Sequence, residues 1–378
     1  MNRYEIKTYI CKKLDFYVLE HKKSGNDATN IEQPMQKRAR QTNIELLRVL
    51  AIFFIIFGHI KELFFEEIIA SGIETQLNRL SLIGVCAVNV FILITGYFLI
   101  ERTDIKFTRF FKILAETMFY SFAITLIFYV TGGCDIKDLL LSLDPLAPTK
   151  FSYWFVKCYL ALVLLAPFIS RLVLSLSKRQ YKGLLLAMML INCTFCPLFP
   201  FGNILSSGWS VWWFICVFLI GGYIKLHYEC DKSHRINWAL ALLVSVSAYI
   251  VCSNISFIDG GYNSLLTTAM AVSVFCLART IDIEKGGIVN FMAPNVFAAY
   301  LIQEQPLLKN FIYEYFRQTL PTETYRHLWF AFVLATAIII ASVLIDKVRV
   351  IVFDKTGIDN LVKNISETLL EKTRKICA

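Results

Sequence analysis

The chain has 378 residues, of which 56% are hydrophobic and only 18% charged, with a formal net charge of +9. Soluble domains carry about 45–50% apolar and about 25% charged residues, so this composition excludes an ordinary soluble domain. It reads as an all-α, polytopic membrane helix bundle, in which the positive excess is a topology signal and not the footprint of a nucleic-acid partner.

Residues 1–36 form a polar N-terminal extension of mixed charge, without the n-region, apolar core and cleavage site of a signal peptide. Gln36 to Arg40 then give a basic start to a membrane domain expected over 37–354. Its first span, 43–60, carries Glu45, Arg48 and His59 in an otherwise apolar run. Ionisable groups inside a bilayer usually face a cavity or a partner. Arg48 and His59 are eleven residues apart, so they share a helix face and stand about 16 Å apart along the axis. Glu45, one turn before Arg48, is placed to pair with it. Two readings stay open on spacing alone: a functional face, or two polar ends snorkelling to the interfaces.

Nine further spans follow, at 81–100, 110–131, 151–174, 183–200, 209–226, 236–253, 263–281, 288–303 and 328–353, making about ten. The ninth is short and broken by Pro294. Lys and Arg concentrate before the first span and after the even-numbered ones, while loops 200–208 and 254–262 have none, which places both termini in the cytoplasm. Residues 355–378 form a cytoplasmic amphipathic tail: Ile358, Leu361, Ile365 and Leu369 recur at helical spacing among basic residues, as in a helix lying on the inner leaflet. The 11 cysteines fall mostly in apolar segments, as small buried hydrophobes do. Cys193 and Cys196 have CxxC spacing but neither a second pair nor a βαβ setting, and no metal site is expected.

Other residues suited to chemistry are few. Arg109 and Lys112 open the third span and, with Arg48 and Arg102, suit either a basic mouth for phosphates or plain topology. Glu116, one turn beyond Lys112, is spaced to pair with it. Trp154 suits the interfacial aromatic belt, and Lys157 lies about two turns deep, to anchor an acceptor or snorkel. Tyr300 and Gln303, followed by Glu304, lie beyond the Pro294 break, as in a helix that lines a cavity or one glued by interhelical hydrogen bonds.

Four stretches in this order resemble the family-3 integral-membrane acyltransferases, which modify bacterial surface sugars. They are Arg48 with His59 ten residues between, the run Val90 to Leu99 with Thr95-Gly96-Tyr97, Tyr153-Trp154-Phe155 with Ala166-Pro167-Phe168, and Ala299 to Glu304. Together they cover about residues 40–350. The chain departs from the family pattern at Lys112, where a second Arg is common, and at Gln303, where many members carry His. The resemblance implies a bacterial cytoplasmic-membrane enzyme that takes an acyl group, expected to be acetyl, from cytoplasmic acyl-coenzyme A as co-substrate. The acceptor it implies is an extracytoplasmic glycan or lipid-linked saccharide, with membrane lipids as surroundings. On that reading Arg48, Arg109 and Lys112 hold the donor, His59 and Glu45 serve catalysis, and Trp154, Lys157, Tyr300 and Gln303 meet the acceptor. The alternatives are a transporter or flippase for a glycan or lipid-linked saccharide, and a non-catalytic sensor or scaffold with the same fold.

Overall fold

The structure is a computed structural model whose described residues are 41–63, 74–105, 107–193, 208–253, 261–317 and 324–377, all in one compact unit, Gln41–Ala378. The 1–36 extension, the end of the fifth predicted span and Cys196 lie outside them. The described residues are all-helical: α1 (Thr42–Leu63), α2 (Glu74–Leu99), α3 (Phe107–Val130), α4 (Ile136–Leu141), α5 (Trp154–Leu174), α6 (Lys178–Asn192), α7 (Val211–His227), α8 (Arg235–Ser253), α9 (Leu265–Arg279), α10 (Gly287–Met292), α11 (Phe297–Gln303), α12 (Pro306–Phe316), α13 (Thr324–Lys355) and α14 (Ile358–Cys377).

Among the described residues, five stretches are long and apolar enough to cross a membrane: Thr42–Ile60, Phe107–Val130, Trp154–Leu174, Lys232–Cys252 and Arg326–Lys355. The shorter Gly84–Leu99, Val211–His227 and Leu265–Arg279 are apolar too. The chain is therefore a multi-pass membrane protein. Ten full spans are not reached among the described residues, and the ninth shows why. Proline has no N–H to continue the ladder, and around Pro294 the predicted span divides into α10 and α11.

The core forms around α2, against which α1, α7 and α9 pack. Glycines let the backbones approach. A methyl group on Gly96 would overlap the Phe218 carbonyl of α7, and one on Gly221 would overlap the Leu93 carbonyl of α2. Small residues at such crossings are what membrane helices use where apolar burial gives no drive toward association. Gly96, conspicuous in the sequence as part of Thr95-Gly96-Tyr97, is thus accounted for by packing.

Pro306 shapes the end of α11. The residue before a proline is pushed out of the α region, and Gln305 is extended, with φ −65° and ψ 120°. Its side chain then caps α12 at the Leu308 N–H (2.9 Å) and donates to Thr125 of α3 (3.0 Å). The turn leaves Gln303 and Glu304 together at the terminus of α11, facing α1.

Candidate active site

The first helix joins two polar sites. At its start Arg48 donates to Glu45 Oε2 at 2.6 Å, the pair that their spacing predicts. Both line a cavity of about 410 Å³ with Arg102 and Arg109, and Glu116 forms part of the same wall. Deeper in, Arg109 donates to the Tyr159 hydroxyl at 2.5 Å. Thr95 Oγ1, 3.1 Å from Tyr159, also lies 3.1 Å from the Phe91 carbonyl. A carbonyl only accepts, so the Thr95 proton goes to Phe91, and the Tyr159 proton to Thr95. The chain Arg109→Tyr159→Thr95→Phe91 is directional and fixes the guanidinium at the cavity wall.

At the other end of α1, His59 Nδ1 is 3.0 Å from Gln303 Oε1 and 3.1 Å from Glu304 Oε1. An ionised carboxylate accepts only, so Nδ1 carries the proton whichever way the Gln303 amide is turned. The basic lone pair of the neutral ring is then on Nε2. Lys309 donates to the same Glu304 oxygen, Oε1, at 3.2 Å. Burial pushes the Glu304 carboxyl up, but His59 and Lys309 outweigh that effect and hold it at about 2.

An aromatic layer separates the two sites. Phe91, Tyr159 and Phe297 line the cavity. Phe297 stacks on Tyr300 (5.9 Å between centroids), Phe155 bridges Tyr159 and Tyr300 (5.7 and 5.5 Å), and Tyr300 lies 6.4 Å from the His59 ring. Tyr153 fixes this layer by donating to the Leu301 carbonyl of α11 at 3.0 Å.

Of the residues picked out from the sequence, the structure brings together Glu45, Arg48 and Arg109 in the cavity, and His59, Tyr300 and Gln303 at the far end. Glu45 is not at His59. Fourteen residues put it about 21 Å away along the helix, and among the described residues Glu304 brings a carboxylate to the imidazole. Lys112 does not line the cavity; it turns outward to Asp359 of α14 at 3.6 Å. The expected Lys112–Glu116 pair does not form, because Glu116 points inward, 3.8 Å from the Arg349 guanidinium of α13. Trp154 heads α5 among Trp209 (4.4 Å) and Tyr262 (5.5 Å). Lys157 is half-buried and joins neither cluster among the described residues.

Tyr159, Thr95 and Glu304 were not assigned roles by sequence reasoning. Glu304 was visible as an acid next to Gln303, but what singles it out is its three-dimensional approach to His59.

Comparison with curated proteins and with solved structures yields no match. A family profile described as an acyltransferase domain matches residues 41–346, which takes in both sites and the layer between them. The chain belongs to acyltransferase family 3.

Proposed function

We propose that the protein is a membrane-bound O-acyltransferase of the bacterial cytoplasmic membrane. It moves an acyl group, acetyl in the first instance, from cytoplasmic acyl-coenzyme A to a hydroxyl of an extracytoplasmic or lipid-linked glycan. Both termini lie on the cytoplasmic side. The observation that carries this reading is the pairing on one helix of an arginine cavity with an imidazole whose Nδ1–H is held by a carboxylate.

In this mechanism Arg48, Arg102 and Arg109 bind the phosphates of the donor. Guanidinium groups suit phosphate oxygens through paired, charge-assisted hydrogen bonds. The thin pantetheine arm runs along α1 toward His59. The aromatic layer fills that path, so transfer requires the rings to part. At the far end His59 Nε2 takes the proton of the acceptor hydroxyl as the oxygen attacks the thioester carbonyl. The carbon–sulfur bond then breaks, and coenzyme A leaves as a thiolate that takes the proton back from the His59 imidazolium. Glu304 stabilises the imidazolium and holds the tautomer, and Gln303 supports the ring orientation. General-base assistance of this kind contributes about 10²–10⁴-fold. Tyr300, Trp154 and Lys157 are the residues offered to the acceptor.

The test is acetyl-coenzyme A thioester cleavage by the purified protein in detergent, with native surface glycan, beside His59→Ala. Cleavage that needs both the glycan and His59 supports the reading. Absence of both cleavage and coenzyme A binding overturns it in favour of glycan transport.

A further inference from the structure

Asp346 sits within the last long span, α13, and is fully buried. A carboxylate there is costly unless paired and hydrogen-bonded, and such residues usually serve function. Three groups converge on it. Tyr120 of α3 donates to Oδ1 at 2.8 Å. Arg349, one turn along α13, donates to the two oxygens at 2.5 and 3.2 Å. Asn295 donates to Oδ2 at 2.5 Å.

The Tyr120 bond fastens α3 to α13, the Arg349 bonds lie within α13, and together they would satisfy the carboxylate without Asn295. The Asn295 bond differs in its target, the irregular link between α10 and α11. Ala293, Pro294 and Val296 of that link form part of the 410 Å³ cavity. Beyond it α11 is only seven residues long and ends at Gln303, against His59. The Asn295 Oδ1 atom is buried without a hydrogen-bond partner, so the amide of this side chain is anchored through Asp346. Tyr153 and Gln305 hold the later part of this segment, at Leu301 and just past Glu304; Asp346 holds its beginning.

We propose that Asp346 is a positioning residue. By holding Asn295 it sets one wall of the donor cavity and the placement at which α11 presents Gln303 and Glu304 to His59. The inference rests on the reading of His59 as the acting group.

Two variants separate positioning from plain stability. Asn295→Ala and Tyr120→Phe each delete one hydrogen bond to the same buried carboxylate, but of the two only Asn295 lies on the link into α11. For acetyl-coenzyme A cleavage, Asn295→Ala should lower kcat about tenfold or more, since misplacement of about 1 Å can cost 10²-fold, and should shift the acid limb of the pH profile. Tyr120→Phe should lower the melting temperature similarly while leaving that limb in place. The second measurement needs no turnover: the ¹³C-labelled imidazole resonance of His59 in micelles, assigned by its loss in His59→Gln. Its titration midpoint, set beside Glu304 and Lys309, should move in Asn295→Ala and match wild type in Tyr120→Phe. Parallel effects of the two variants, or an unmoved His59 resonance in Asn295→Ala, would overturn the proposal. If the wild type neither binds nor cleaves acetyl-coenzyme A, the acyltransferase reading fails, and the resonance alone decides whether Asp346 positions His59.

Discussion

The Nδ1 atom of His59 lies 3.1 Å from Glu304 Oε1, although the two residues come from opposite ends of the membrane domain. Replacing Glu304 with Gln keeps the shape and removes the charge. It also offers Nδ1 an amide donor, which favours the tautomer with the proton on Nε2, where it blocks base action. We expect Glu304→Gln to lower kcat for acetyl-coenzyme A cleavage by about 10²–10⁴-fold, the scale seen when a triad carboxylate becomes an amide. The donor KM should stay within about twofold, since the proposed site for the donor head is at the other end of α1.

Glu304 is held at about 2, below its unperturbed value of about 4.3. It therefore remains ionised through the range in which an enzyme of this kind is assayed. The rate should fall on the acid side with a single-proton limb, as the ring gains its second proton and loses the Nε2 lone pair. A pH–rate profile between pH 5 and 8 with two inflections on the acid side would contradict this assignment.

Arg109 and Lys112 are three residues apart but face different surroundings, one the cavity and the other Asp359. Arg109→Ala should raise the donor KM by about 10- to 100-fold, as the loss of a charge-assisted hydrogen bond of about 1.5–3 kcal/mol implies. Lys112→Ala should change it less than about threefold, because its exposed ion pair with Asp359 contributes about 0–1 kcal/mol. Isothermal titration with coenzyme A reads both without turnover.

Gly96 and Gly221 meet the facing backbone at the α2–α7 crossing. Adding one methyl to a packed core costs about 1–3 kcal/mol, and here the obstacle is backbone carbonyls that cannot rotate away. Gly96→Ala should lower the melting temperature of the protein in detergent markedly. Gly183→Ala, where nothing lies within 4 Å, should be neutral or stabilise by up to about 1 kcal/mol, the ordinary helix preference for Ala over Gly.

Helix α14 has three sectors. Val362 and Ser366 are buried, with Ser366 bonded to Thr108 of α3 at 2.8 Å. Leu361, Ile365 and Leu369 are exposed at four-residue intervals, and the charged residues take the remaining arc. An apolar stripe next to a membrane-spanning helix suits a seat in the headgroup region. Benzoylphenylalanine placed at position 365 should crosslink to phospholipid in vesicles, and the same group at position 367 should not.

Much of this architecture is legible in the sequence because the bilayer restricts what the chain can do. Helical backbone satisfies its own hydrogen bonds, so apolar length alone locates α1, α3, α5, α8 and α13. The Pro294 break and the Glu45–Arg48 pair follow from local rules that depend only on near neighbours. What depends on distant neighbours is not legible. Nothing adjacent to Asp346 in the chain says that Asn295 will lie beside it, and Lys112 is claimed by a tail helix that begins more than 240 residues later. His59 was found from its helix face, but its carboxylate partner is fixed by Pro306 turning the chain after α11. Glu45, an acid on the same helix, was named for catalysis from the sequence but lies about 21 Å away along the axis.

The aromatic layer between the cavity and His59 also bears on electrical insulation. A protein with a polar opening toward one side of a bilayer and an ionisable imidazole toward the other is close to being a proton path across it. Phe91, Phe155, Tyr159, Phe297 and Tyr300 interpose ring against ring at centroid distances of 5.5–6.4 Å, and the only polar atoms among their side chains are the two phenol hydroxyls. With the donor and acceptor sites on opposite sides of the membrane, as proposed, a layer of this composition would serve as a septum against proton leakage between them.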